Sequence, residues 1–223
     1  MNKWWKTLGI IIGTAVLTEL IPFSSFFRNV ETLIHEFGHA LLTLVLSGKV
    51  HFIYLFSNHS GVTYSYVNER WQFIPIALAG YILSAILTIV LFWLYNRNQH
   101  RKGLIGLTIL TLICVLFFVR NAFGVFWCIG FIALNIGAYL LPWKWVRDFY
   151  YLLISFICLV ESVIGPMYLA FLSITSPASA GDAANLSRIT FIPAIIWSLL
   201  FTVIAIWCAG KSIALFLNPK REA

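Results

Sequence analysis

The pentapeptide His35-Glu36-Phe37-Gly38-His39 sets two imidazoles four positions apart with a carboxylate beside the first. On an α-helix, four positions separate side chains by about 40° in azimuth and about 6 Å in height, so both rings can turn toward one ion. Glu36 lies about 100° round from His35, close enough to reach a water on that ion without becoming a ligand. Two neutral imidazoles and a base are the parts with which a Zn²⁺ site makes hydroxide near neutral pH. The pattern also arises by chance in charge-rich soluble helices. Here it is embedded in apolar sequence, where one charged residue at mid-bilayer costs about 2.5–3.5 kcal/mol. Three ionisable groups within five residues of such a helix need a compensating partner, and a metal supplies one.

The chain around the motif is built for lipid. Of its 223 residues, 61% are hydrophobic and only 10% charged, and 19 Phe, 9 Trp and 9 Tyr exceed what a water-facing fold of this size could hide. The 15 Lys and Arg outnumber 8 Asp and Glu, giving +7, but they are spread thinly between apolar runs. That is the pattern of membrane-flanking anchors, and it excludes the basic stripe of a nucleic-acid binder. Cys114, Cys128, Cys158 and Cys208 each stand alone in apolar sequence and read as small buried hydrophobes. Lys3 and Lys6 ahead of an apolar run resemble a signal peptide, but Glu19 interrupts it and no A-x-A site follows, which predicts a retained first span.

Charge-poor stretches long enough to cross a bilayer fall at 7–27, 71–95, 103–119, 121–142, 149–172 and 190–217, with a shorter one at 31–47. They predict an all-α polytopic membrane protein of about seven transmembrane helices in a single domain over residues 1–223. The breaks include 97–102, Arg120-Asn121 and 143–148. Two segments depart from the helical pattern. Residues 49–67 alternate around Asn58-His59-Ser60-Gly61 and predict a β-hairpin after the second helix, lying on or dipping into the membrane face. Residues 173–189, small and turn-rich at their start, predict a loop or re-entrant segment. Seven spans place Lys3, Lys6, Lys49, Arg70, Arg120 and Arg188 on one face and the other nine basic residues, Arg28 among them, on or near the opposite face. This asymmetry is too small to orient the protein.

His35-Glu36-Phe37-Gly38-His39-Ala40, followed by Ser47-Gly48-Lys49-Val50 and the hairpin, resembles the site-2 protease family of intramembrane zinc metalloproteases, above all its M50B-like branch. The resemblance implies a membrane-embedded zinc metalloendopeptidase. His35, His39 and a distant aspartate would hold Zn²⁺, Glu36 would activate water, and membrane proteins or peptides would be the substrates. It also implies a multi-pass protein of a bacterial cell membrane with the hairpin facing the cytosol, the slightly less basic side. The family's usual N-x-x-P-x-x-x-x-D-G pattern is absent, and Gly181-Asp182-Ala183-Ala184-Asn185-Leu186 resembles the aspartate segment of the M50B-like branch. Asp182 is thus the expected third ligand, its plainer role being an N-cap for a helix at 183–190.

Other acids compete. Glu161, four residues before Gly165-Pro166, suits a ligand, a proton relay or a hydrogen-bonded structural group. Glu31 suits a first-turn acid favoured by the helix dipole or a partner that orients a histidine ring. His51, His59 and His100 fall in hairpin or loop positions, where solvation is expected. A contrasting reading is a catalytically silent metal-binding scaffold or transporter-like protein. A zinc site requires the Asp182 carboxylate within about 3–4 Å of both imidazole nitrogens. A hairpin edge near Phe52 or Tyr54 would hold an unwound substrate by strand addition.

Overall fold

The structure, a computed structural model, describes residues 24–218. The described residues form seven helices and one antiparallel two-stranded sheet. Helix α1 spans Ser24–Val45, and strands β1 and β2 span Lys49–Leu55 and Gly61–Tyr66. Helices α2 (Phe73–Asn96), α3 (His100–Phe117), α4 (Ala122–Leu140) and α5 (Lys144–Thr175) follow. The short α6 (Gly181–Thr190) and then α7 (Ala194–Leu217) complete the order.

Five helical segments are long and apolar enough to cross a membrane: Arg70–Asn96, which includes a 3₁₀ turn before α2, and α3, α4, α5 and α7. Helix α1, the expected short span, carries Arg28, Glu31 and Glu36 and has the core on most sides: Val30, Leu33, Ile34 and Ala40 are buried. The expected first span and Glu19 lie, but for residues 24–27, outside the described residues. The segment 173–189 holds the end of α5, to Thr175, and α6 from Gly181, where Ala180, Ala183, Ala184 and Leu186 bury an apolar face against Leu169, Ala77 and Phe201. Two expectations are corrected. Residues 144–148, read as a break, form the first turns of α5, which then runs on through Pro166. His100 is buried as the first residue of α3, where its Nδ1 lies 2.6 Å from Oδ1 of Asp148, between the rings of Tyr95 and Tyr151.

Helix α1 ends in a Schellman-type turn. Ser47 is left-handed (φ 59°) and the Gly48 N–H reaches back to the Thr43 carbonyl at 2.8 Å, closing the helix and starting β1 at once. The hairpin folds back along α1. Its tip, turned by left-handed His59 and by the Asn58 side chain accepting from Ser60, is fixed where Thr32 Oγ1 donates to the His59 carbonyl at 2.9 Å. Thr32 and Thr43 are separated by about 16 Å of helix, roughly the length of β2. The hairpin thus dips beside α1 with its tip at the level of the histidine motif. Its inner face buries Ile53 and Leu55 completely, while Phe52, Tyr54 and Tyr64 cluster on the outer face.

The two edges differ. Ile53 donates to the Phe118 carbonyl (2.9 Å) and accepts from Arg120 N–H (3.2 Å), while Asn121 clamps the backbone of Leu55 through both ends of its amide (3.1 and 2.6 Å). The outer edge of β1 is therefore closed by the α3–α4 connection. Phe52 and Tyr54, expected on a free edge, face β2 instead, paired with Tyr64 and Val62. They cannot accept a substrate strand, because backbone groups alternate along a strand and those of Ile53 are the outward ones. By the same alternation Thr63, opposite Ile53, turns its N–H and C=O to the outer edge of β2.

Interhelical contacts use small and polar side chains, as is usual where lipid offers no hydrophobic drive. Ser173 meets Ser198 at 2.7 Å, Thr88 meets Ser212 at 3.1 Å, and Asn96 Nδ2 donates to the Leu215 and Asn218 carbonyls at 2.7 Å each. All four cysteines are buried and free.

Asn121→Ala removes the clamp on Leu55 and leaves two backbone groups to find other partners. It should lower stability by about 1 kcal/mol and speed amide exchange at Leu55 relative to the α1 amides, read by thermal unfolding and hydrogen exchange in detergent.

Candidate metal centre

Three side chains from two distant parts of the chain meet at one point. His35 Nε2 and His39 Nε2 are 3.0 Å apart, and Asp182 Oδ2 lies 3.2 Å from each. Ligand atoms 2.0–2.2 Å from a tetrahedral zinc stand about 3.3–3.6 Å from one another. The donors thus form one slightly contracted face of a tetrahedron. The Ile76 carbonyl, which can only accept, lies 2.7 Å from His39 Nδ1. Nδ1 must carry the proton, so neutral His39 presents the Nε2 lone pair inward. Two nitrogen acceptors and a carboxylate aimed at one point suit a divalent cation such as Zn²⁺, and the fourth direction is left to a cavity. Among the described residues this is the group of His, Cys, Asp or Glu side chains close enough to hold a metal.

Each donor is placed for a local reason. His35 and His39 share a face because α1 is regular through the motif. That face lies unusually close to α2, since a Cβ on Gly38 would stand 2.8 Å from the Ala79 carbonyl oxygen. Gly80 lies directly beneath the imidazoles, with a Cβ there meeting His35 Nε2 and His39 Nε2 at 2.7 Å each. Asp182 sits in the first turn of α6, after Gly181 in left-handed geometry (φ 46°). Ala180 is the N-cap and no side chain caps the helix, so the Asp182 carboxylate is turned to the histidines. The buried alanines of α6 let that turn approach α2 and α5 closely.

Glu36, 5% exposed, is the next residue round the helix and borders the same cavity of about 830 Å³. Thr63 Oγ1 lies 2.6 Å from Glu36 Oε2 and 3.0 Å from the Glu36 carbonyl, tying β2 to α1 at this point. Gly61 makes room for the carboxylate, since a Cβ there would come within 2.8 Å of Oε1. The outer edge of β2 from Gly61 to Ser65 forms one wall of the cavity.

Other acids take different places. Glu161 lines the cavity but pairs with Arg28, at 2.8 Å from Oε1 to Nε, which sets Arg28 against the middle of α5. Glu31 lines the cavity one turn before His35, and because α1 begins at Ser24 it is no first-turn acid. His51 is exposed, and His59 lines the cavity. Sequence reasoning missed Thr63, Gly61, Gly80 and Tyr81, whose ring stands edge-on to His35. Only Gly61 carried a signal, as the end of the turn cluster at 58–61, since these contacts join residues distant in sequence.

A polytopic helical membrane protein with a His-His-Asp cluster beside a buried glutamate is the class that fold and site define. Residues 7–212 match the family model described as Peptidase M50B-like, and the chain belongs to that family. No curated protein and no solved structure matches it.

Gly80→Val puts side-chain carbon into the space of both imidazoles. It should reduce zinc retained after dialysis at least tenfold while helical content by circular dichroism stays at the wild-type level.

Proposed function

We propose that this protein is an intramembrane zinc metallopeptidase that hydrolyses peptide bonds of membrane-embedded substrates, with His35, His39 and Asp182 as metal ligands and Glu36 as general base. The observation that carries the proposal is the near-equilateral triangle of two imidazole nitrogens and one carboxylate oxygen, opening on a cavity that Glu36 shares. Zn²⁺ in that position supplies a water acidic enough to ionise near pH 7 and polarises the scissile carbonyl. Glu36 takes the proton from the attacking water and returns it to the leaving amine. Thr63, bonded to one carboxylate oxygen, fixes the orientation of Glu36 and leaves its second oxygen for the water. The open side of the donor triangle favours this reading over a silent scaffold, whose closed site would use a fourth protein ligand.

A transmembrane helix hides its scissile bond behind its own hydrogen bonds and must be unwound before attack. The outer edge of β2 fits an extended segment in antiparallel or parallel pairing, with Thr63 offering backbone N–H and C=O beside Glu36. The lipid bilayer then supplies the substrate laterally.

Glu36→Gln should retain one zinc per protein and lose cleavage of a transmembrane test peptide by about 10²–10⁴-fold, whereas Asp182→Ala should lose zinc as well. Retention of full cleavage by the zinc-loaded Gln variant excludes the mechanism. A chelator should abolish cleavage and added zinc restore it. For the edge, Thr63→Val keeps the backbone N–H and Thr63→Pro removes it. Pro should cost at least tenfold more cleavage than Val with zinc unchanged, and equal activity of the two removes strand addition.

A further inference from the structure

Resting on the peptidase reading, we infer that the Tyr81 hydroxyl is a catalytic hydrogen-bond donor that stabilises the oxyanion formed when the scissile carbonyl is attacked. Tyr81 follows Gly80 on α2, and its ring stands edge-on to His35 with centroids 4.4 Å apart. Phe201 of α7 supports the other side at 4.8 Å, so the ring is wedged against a metal ligand. The side chain lines the cavity together with Asp182, Glu31 and Glu36.

The metal would carry part of the oxyanion charge, and a hydrogen-bond donor there would share it. As the water oxygen bonds to the carbonyl carbon, the C=O π pair moves onto oxygen and the water proton moves to Glu36. Collapse re-forms C=O, breaks the C–N bond and sends that proton to the amine. Negative charge therefore develops on an oxygen surrounded by Glu31, Glu36, Asp182 and Glu161, all of which are hydrogen-bond acceptors when ionised. Of the other hydroxyls on the cavity wall, Thr32 donates to the His59 carbonyl, Thr63 to Glu36 and Ser60 to Asn58, while Tyr64, packed on Phe52, and Ser65 belong to β2 and not to the wall against His35. Arg28 is paired with Glu161. No described residue accepts from the Tyr81 hydroxyl, which is half-buried where a fixed donor acts with less screening than in water. Asn185, one turn after Asp182 on the cavity wall, is a competing donor and is exposed. Tyr81 keeps its proton throughout and donates only a hydrogen bond.

The test uses full-length protein in detergent, loaded with zinc, as wild type, Tyr81→Phe and Asn185→Ala. Phe preserves the contacts with His35 and Phe201, so a packing role predicts no change. Zinc content, KM and kcat are measured on a quenched-fluorescent transmembrane peptide. Binding of a phosphinic peptide, whose tetrahedral oxygens mimic the oxyanion, is compared with binding of the matching cleavage product. For Tyr81→Phe the expected result is unchanged zinc, KM within twofold and kcat lower by about 10- to 100-fold, at or below the usual effect of an oxyanion donor. Phosphinic-peptide affinity should fall by a similar factor and product affinity should hold. A kcat within twofold of wild type, a loss of zinc, or the same defect in Asn185→Ala alone overturns the assignment. Zinc-loaded wild type that cleaves nothing removes the peptidase reading and this role with it, an outcome visible before any variant is compared.

Discussion

Ionisable groups inside a lipid-compatible bundle must be compensated within the protein, and the meeting of His35, His39 and Asp182 is how this chain does so at its centre. Helix α1 carries five ionisable side chains, too many for a lipid-facing helix. It is accordingly surrounded by α2, α5 and the hairpin, and several of its ionisable groups find partners inside that ring. Arg28 is matched by Glu161, His39 by the Ile76 carbonyl, and Glu36 by Thr63. The five apolar helices can be read as the shell that this one polar helix requires.

The same constraint explains the hairpin. Backbone that is not helical at membrane depth needs its N–H and C=O groups satisfied by protein or by a polar cavity. On one side the α3–α4 connection closes β1, through residues 118–121, and on the other the cavity takes the edge of β2. An edge left open inside a bilayer protein is costly unless something pairs with it, so the location of the open edge beside Glu36 links fold to chemistry. The close approaches serve that link: Gly80 and Gly61 each remove a side chain where a functional group passes, and Gly38 lets α1 lie against the backbone of α2.

Helix α6 shows how little local structure says about role. Asp182 lies in a helical first turn, a position any acid favours through the helix dipole, and it sits only five residues past Pro177 and one past left-handed Gly181. What distinguishes it is the burial of Ala183, Ala184 and Leu186 against α2, α5 and α7, which presses that turn onto the histidines. A larger residue at Ala183 would push the carboxylate away without altering the helix.

The sequence by itself determined the class of protein, because apolar stretches of bilayer length and the i, i+4 spacing of His35 and His39 are local properties that a helix converts directly into geometry. It also determined the hairpin, since alternation and a turn cluster lie within twenty residues. It misplaced the free edge, the ends of α5 and the burial of His100. Each of these depends on which helix packs beside which, and apolar helices in lipid carry no periodic stripe to say so. The acid that joins His35 and His39 was decided by tertiary structure in the same way. Asp182 stands 147 positions from His35, and only the packing of α6 onto α2 and α5 selects it over Glu31 and Glu161, which line the same cavity but turn to other neighbours.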